Sequence, residues 1–154
     1  MRKLTRREIR EFLLQSLYAK SILKDSYDPT EFASSYYTSP VDQSFADAYY
    51  VESFAGIQQE EGMLLQIVAH YAPKFDADIM PIINLLPIFI AAYEMLYLKC
   101  DTVPENVSIN EAVELAKRFS DDGAREMVNG VLNKLKDEKL TVLSTLTPRE
   151  KLFF

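Results

Sequence analysis

The sequence predicts an all-α protein, an expectation carried by three observations. Apolar residues recur at helical spacing over most of the chain. The 154 residues include only four glycines and no tryptophan, whereas a β-sandwich needs many tight turns. The longest apolar stretch, Leu85–Leu98, is interrupted by Pro87 and Glu94 and is too short to span a bilayer, so it reads as a buried helix. The length suits one packed domain, placed at 1–136, followed by a tail, 137–154.

About seven helices are expected. Thr5 can cap the first, from Arg6, with Glu8 as its capping-box partner. Its apolar stripe is Ile9, Leu13, Leu17 and Ile22, widened by Phe12 and Leu14. Residues 25–44 are polar and turn-rich, with Pro29 and Pro40, and read as a long connection tethered by Tyr27, Phe32, Tyr36 and Tyr37. Two helices follow, Phe45–Gln58 and Glu60–Tyr71. Pro73 and Pro81 then break the chain into short pieces. Asn84 can cap the buried helix 85–99, apolar on all sides and thus central or covered by a partner. Ser108 or Asn110 opens the next helix through Phe119, with Ile109, Ala112, Val113 and Ala116 inward. Asp122 caps a last long helix to about Lys136, whose inner face is Met127, Val128, Val131, Leu132 and Leu135. In the tail, Thr147, Pro148 and Glu150 can start one more helical turn.

Enzyme chemistry finds little footing. Gly123 and Gly130 stand outside any phosphate-loop context. The single histidine, His70, lies beside Tyr71 near a helix end and reads as structural or superficial. Glu111 and Glu114 share a helix face and read as solvated, and Cys100, after an apolar helix, reads as a packed small residue. One cysteine allows no internal disulfide and no cysteine-based zinc site. No cofactor is expected. The chain shows no secretory signal, so a reducing, cytoplasmic setting without membrane contact is expected.

The net charge of −6 is unevenly divided. Residues 1–20 hold six basic and two acidic groups, net +4; the rest holds 11 basic and 21 acidic groups, net −10. Lys3, Arg6, Arg7 and Arg10 therefore form a local cationic patch on the first two helical turns, with Tyr18 available for stacking. Cations beside aromatic platforms suit single-stranded RNA, and a merely solvated helix face is the competing reading.

Four ordered blocks resemble the NusB antitermination factors: RREIREFLLQSLY (Arg6–Tyr18), AAYEM (Ala91–Met95), VPENVSINEAVELAKRF (Val103–Phe119) and VNGVLNK (Val128–Lys134). The likeness spans residues 4–135, with 25–44 unmatched. It implies a helical bundle of two packed subdomains. It also implies a cytoplasmic antitermination factor for rRNA operons, which binds boxA-like RNA with the ribosomal protein NusE and meets RNA polymerase only indirectly. On this likeness Arg6, Arg7 and Arg10 contact RNA phosphates, and Tyr18 lies near the RNA or the partner. The chain departs from the family pattern at Asn84, Phe89, Gly123 and Met127, positions implied to meet a partner. Two further readings stand beside it: a NusB-like adaptor or homodimer without RNA binding, and the NusB-like domain of an RNA methyltransferase, for which 154 residues leave no catalytic domain.

Overall fold

The computed structural model describes residues 3–36 and 47–154. Eight α-helices lie among them: α1 (Arg6–Leu23), α2 (Pro29–Tyr36), α3 (Ala48–Gln59), α4 (Glu61–Tyr71), α5 (Ile82–Leu96), α6 (Glu105–Phe119), α7 (Ala124–Glu138) and α8 (Val142–Thr145). A 3-10 turn, Lys24–Ser26, follows α1. No strand occurs among the described residues. None of their helices is long and apolar enough to cross a membrane.

Helix α1 starts where the sequence predicts. The Glu8 N–H donates to the Thr5 hydroxyl at 3.1 Å and the Thr5 N–H to the Glu8 carboxylate at 3.0 Å, a complete capping box. The apolar stripe is buried through Leu17, but Ile22, expected inward, is 61% exposed because the five-residue step from Leu17 carries it about 140° off the stripe. The connection expected over 25–44 contains a helix, α2. Its aromatic residues do tether it: the Phe12 ring lies 5.5 Å from Phe32, 5.2 Å from Tyr36 and 5.0 Å from Tyr50, and Tyr27 stacks on Phe54. Tyr37 and Phe45 lie outside the described residues, and α3 opens at Ala48 behind an Asp47 cap rather than at Phe45.

Helix α5 packs against α1, α3, α4, α6 and α7, as a helix apolar on all sides must. It begins at Ile82, so Asn84 is not its N-cap and Pro87 lies beyond its first turn. Pro87 has no N–H for the Ile83 carbonyl, and the Ser120 hydroxyl donates to that oxygen instead, at 2.8 Å. Asn84 finds a different role. Its amide donates to the Asp121 carboxylate at 3.0 Å, and its carbonyl accepts from the Asp121 N–H at 3.1 Å. The short α6–α7 link is thus pinned to the start of α5. Helix α6 opens at Glu105, earlier than expected, because Pro104 supplies the restricted φ of a helix entry. Of its inward residues Ile109, Ala112 and Ala116 are buried, while Leu115 takes the place expected for the half-buried Val113. Helix α7 begins at Ala124 with Gly123 rather than Asp122 at its cap, and its predicted inner face is wholly buried.

The tail does not form a helical turn at Thr147–Glu150. After α8 it runs irregularly along α4. The buried Glu61 carboxylate accepts three consecutive backbone N–H groups, from Leu152, Phe153 and Phe154, at 2.6, 2.8 and 2.9 Å. Lys24 donates to the Phe153 carbonyl, Arg149 pairs with Asp78 at 3.1 Å, and the Arg149 N–H donates to the Gly62 carbonyl at 3.0 Å. Glycine is required at 62 because a Cβ there would sit 2.2 Å from the Arg149 carbonyl oxygen.

This geometry predicts a sign reversal. Gly62→Ala should destabilise the full chain by about 1–3 kcal/mol through overpacking against the tail. In a chain ending after Thr147 the same substitution should stabilise by up to about 1 kcal/mol, the ordinary helix preference for alanine. Urea denaturation of the four proteins measures both; a loss of equal size in both backgrounds would show that the tail does not set the constraint.

Candidate nucleic-acid interface

The cationic N-terminus of α1 divides into an inner and an outer part. Arg10 is expected at the surface, but it is only 4% exposed. Its Nε and Nη2 donate to the Glu94 carboxylate at 2.8 and 3.1 Å. Glu94 also accepts from the Tyr49 hydroxyl at 2.5 Å and from the Ser108 hydroxyl at 2.8 Å. Four donors from α1, α3 and α6 thus meet one carboxylate on α5. Burial opposes the charge on Arg10, but the hydrogen bonds and attraction of Glu94 outweigh it and hold the guanidinium protonated. Burial, and then the charge of Glu94, push the Tyr49 hydroxyl well above its ordinary value, so it remains a donor. The expectation for Arg10 is corrected: it faces inward because the helical turn that points Arg6 toward Tyr49 points Arg10 past it into the core. A bidentate charge pair with every neighbour satisfied is the form in which that position tolerates burial.

Lys3, Arg6 and Arg7 remain on the outside. Arg6 lies 4.3 Å over the Tyr49 ring and pairs with Asp101 at 3.1 Å. Arg7 gives Nε and Nη2 to Glu111 at 3.0 and 2.8 Å. Its hydrogen bonds hold the Glu111 carboxyl below the usual carboxylate range. Glu111 is therefore not the fully solvated residue expected. Farther along, Arg118 on α6 pairs with Glu11 on α1 at 2.6 Å. The α1–α6 groove, about 330 Å³, is lined by Arg7, Glu11, Glu111, Glu114, Lys117 and Arg118. Lys117 and Arg118 join this face only through tertiary packing; the nearest signal in sequence is the KRF ending of the α6 block. Tyr18, 41% exposed, lies three turns from Arg7 on the same helix.

The four positions at which a partner is expected are scattered. Phe89 is fully buried in α5 and fills the core, so it offers no contact surface to a partner. Asn84 is buried and spent on Asp121. Gly123 is exposed and lines a shallow groove with Val113, Arg125 and Asn129. Met127, itself buried, forms the floor of a separate groove of about 410 Å³ between α7 and the Tyr71–Phe75 segment. Cys100 is exposed rather than packed, because α5 ends four residues earlier and the chain there turns outward. The Glu52 carboxylate caps that turn, accepting from the Lys99 and Cys100 N–H groups at 2.8 and 2.9 Å.

The inner and outer pairs should respond differently to substitution. Arg10→Ala strands the Glu94 charge in the core and should cost about 3–5 kcal/mol by urea denaturation. Glu111→Gln should lower the urea midpoint only slightly at pH 6. Because Arg7 depresses the folded value of Glu111, the contribution of this pair is present above pH 4.5 and lost as pH falls through that lower value. The gap between wild type and Glu111→Gln should therefore close below pH 4.5. A gap that widened on acidification would contradict the pairing.

The chain is similar to known proteins along most of its length. A model of the NusB family matches residues 7–137. The transcription antitermination protein NusB of Bacillus velezensis is 33% identical over 134 residues, covering 86% of this chain and 96% of the relative. That of Thiobacillus denitrificans is 35% identical over 134 residues, covering 87% and 89%. A solved structure of T. maritima NusB superposes with a TM-score of 0.71 at 23% identity, covering 88% of this chain and 93% of that one, and supports the helical fold. With a family match over most of its length and relatives above 30% identity, the chain belongs to the NusB family.

Proposed function

We propose that this protein is a transcription antitermination factor of the NusB type. On this reading it binds boxA-like single-stranded RNA in rRNA operons through the N-terminal end of α1, acts with the ribosomal protein NusE, and meets the RNA polymerase complex through them. The supporting observation is the outward group Lys3, Arg6 and Arg7 on an otherwise acidic protein, with Arg6 stacked on Tyr49. Guanidinium groups held on an aromatic ring and on carboxylates present ordered N–H donors outward, which suits phosphate oxygens. Relatives that cover nearly their whole length with this chain carry the antitermination name, which supports the same reading. Because the departures at Gly123 and Met127 line open grooves, NusE contact is assigned to α7 and the two grooves that flank it, whereas Asn84 and Phe89 act through the fold.

A second reading, an adaptor or homodimer that does not bind RNA, is favoured by one observation: Arg6 and Arg7 each already hold a carboxylate. Salt-dependent RNA binding separates the two. If Lys3, Arg6 and Arg7 each meet one phosphate, log affinity against log salt should have a slope of about −2, from ~0.7 per contact on a single strand. Replacing all three by alanine should weaken binding of a boxA-type RNA and flatten that slope, with NusE present or absent. An unchanged affinity in the triple variant would remove the RNA role of this face, and no binding in any condition would favour the adaptor.

A further inference from the structure

Two arginines of the outer face are countered in the same arrangement, and a third, Arg6, in the reverse one, 35% exposed beside an Asp101 that is 49% exposed. Arg7 is 61% exposed, whereas Glu111, which accepts two of its hydrogen bonds, is 17% exposed. Arg118 and Glu11 repeat the arrangement across the same groove at 60% and 16%. In each pair the cation points to solvent and the anion sits beneath it. Arg6 has Asp101 beside it at 3.1 Å. A phosphate arriving at Arg7 can use the Nη1 edge, which Glu111 does not occupy, but it then lies well within a Debye length of ~8–10 Å from a fixed negative charge. The carboxylate has two opposed effects: it orients the guanidinium and it repels the ligand. On a face this exposed, orientation of one side chain is a small gain, and a neighbouring like charge acts on every phosphate nearby.

We propose that Glu111 and Asp101 are affinity-setting carboxylates, which neutralise Arg7 and Arg6 so that this face holds RNA more weakly than its cations alone would. The inference rests on the RNA reading above. Such a face binds poorly by charge alone and depends on additional contacts, from bases or from a partner protein, to retain RNA. Discrimination then comes from those contacts, because non-specific attraction to any polyanion is suppressed at the arginines themselves.

Glutamine in place of Glu111 keeps an acceptor for Arg7 and removes only the charge. The test is fluorescence anisotropy of a labelled boxA-type single-stranded oligoribonucleotide with the full chain. Wild type, Glu111→Gln, Asp101→Asn, Arg7→Ala and the double variant Arg7→Ala with Glu111→Gln are compared at 50 and 200 mM salt. Asp137→Asn removes an equal charge from α7, a helix that carries neither member of these pairs. Glu111→Gln should bind about fivefold tighter at low salt, with a smaller gain at high salt, and the gain should largely vanish when Arg7 is absent. Asp137→Asn should change affinity by less than about twofold. Circular dichroism reports folding; were Glu111→Gln misfolded, Asp101→Asn carries the same test through Arg6. Equal or weaker binding by a folded Glu111→Gln overturns the inference, as does an equal gain without Arg7 or in Asp137→Asn. If wild type binds through Arg7 and Glu111→Gln matches it, only this inference falls. If no variant binds RNA, the RNA reading falls with it.

Discussion

A single carboxylate in the middle of the molecule constrains most of what surrounds it. Glu94 lies on the helix that every other long helix touches, and a charge there is tolerable only if its oxygens are fully engaged. Arg10, Tyr49 and Ser108 supply four hydrogen bonds from three other helices, so the registers of α1, α3 and α6 against α5 are coupled. Sliding any one helix by a residue rotates its donor by about 100° and leaves charge or hydroxyl unpartnered in an apolar core. Hydrophobic packing alone specifies such registers less sharply, because leucine, isoleucine and phenylalanine contacts are interchangeable to a first approximation.

The same network reaches the surface through one ring. Tyr49 donates to Glu94 with its hydroxyl and carries Arg6 on its face, so the buried pair and the outer cation are joined by a rigid aromatic plate. Arg6 therefore starts from a fixed base, and Arg7, one residue on, turns toward α6 and Glu111. The position of the cationic face follows from the core, although none of its own cations beyond Arg10 is buried.

Much of the fold could be read from residues close in sequence. The Thr5–Glu8 capping box, the stripe from Ile9 to Leu17 and the inner face of α7 are local patterns, and local patterns survive packing. What escaped the sequence depends on partners far along the chain. In a helical projection Arg6 and Arg10 share a face and Arg7 lies about 100° away; only Glu94, 84 residues along the chain from Arg10, separates Arg10 from Arg6. Phe89 reads from the family likeness as a partner position, and only the neighbours of α5 make it core. The α6–α7 link attaches to α5 because Pro87 frees a carbonyl and Ser120 happens to reach it, a pairing across 37 residues with no signature in either segment. The tail is less legible still, since Glu61 holds it by backbone N–H groups, which every residue but proline carries.

Two arginine–glutamate pairs of nearly the same geometry thus have opposite consequences. Arg10–Glu94 and Arg7–Glu111 are both bidentate through Nε and Nη2 at similar distances. What differs is water. Around Glu94 it is excluded, so the pair cannot open without stranding a charge, and it behaves as a fixed part of the scaffold. Around Arg7 solvent and salt compete with the carboxylate, so the pair opens at little cost and a phosphate can compete as well. The motif RREIRE therefore contains one arginine, Arg10, that builds the fold and two, Arg6 and Arg7, that stay on the outside. Burial, which the motif itself does not encode, assigns the roles.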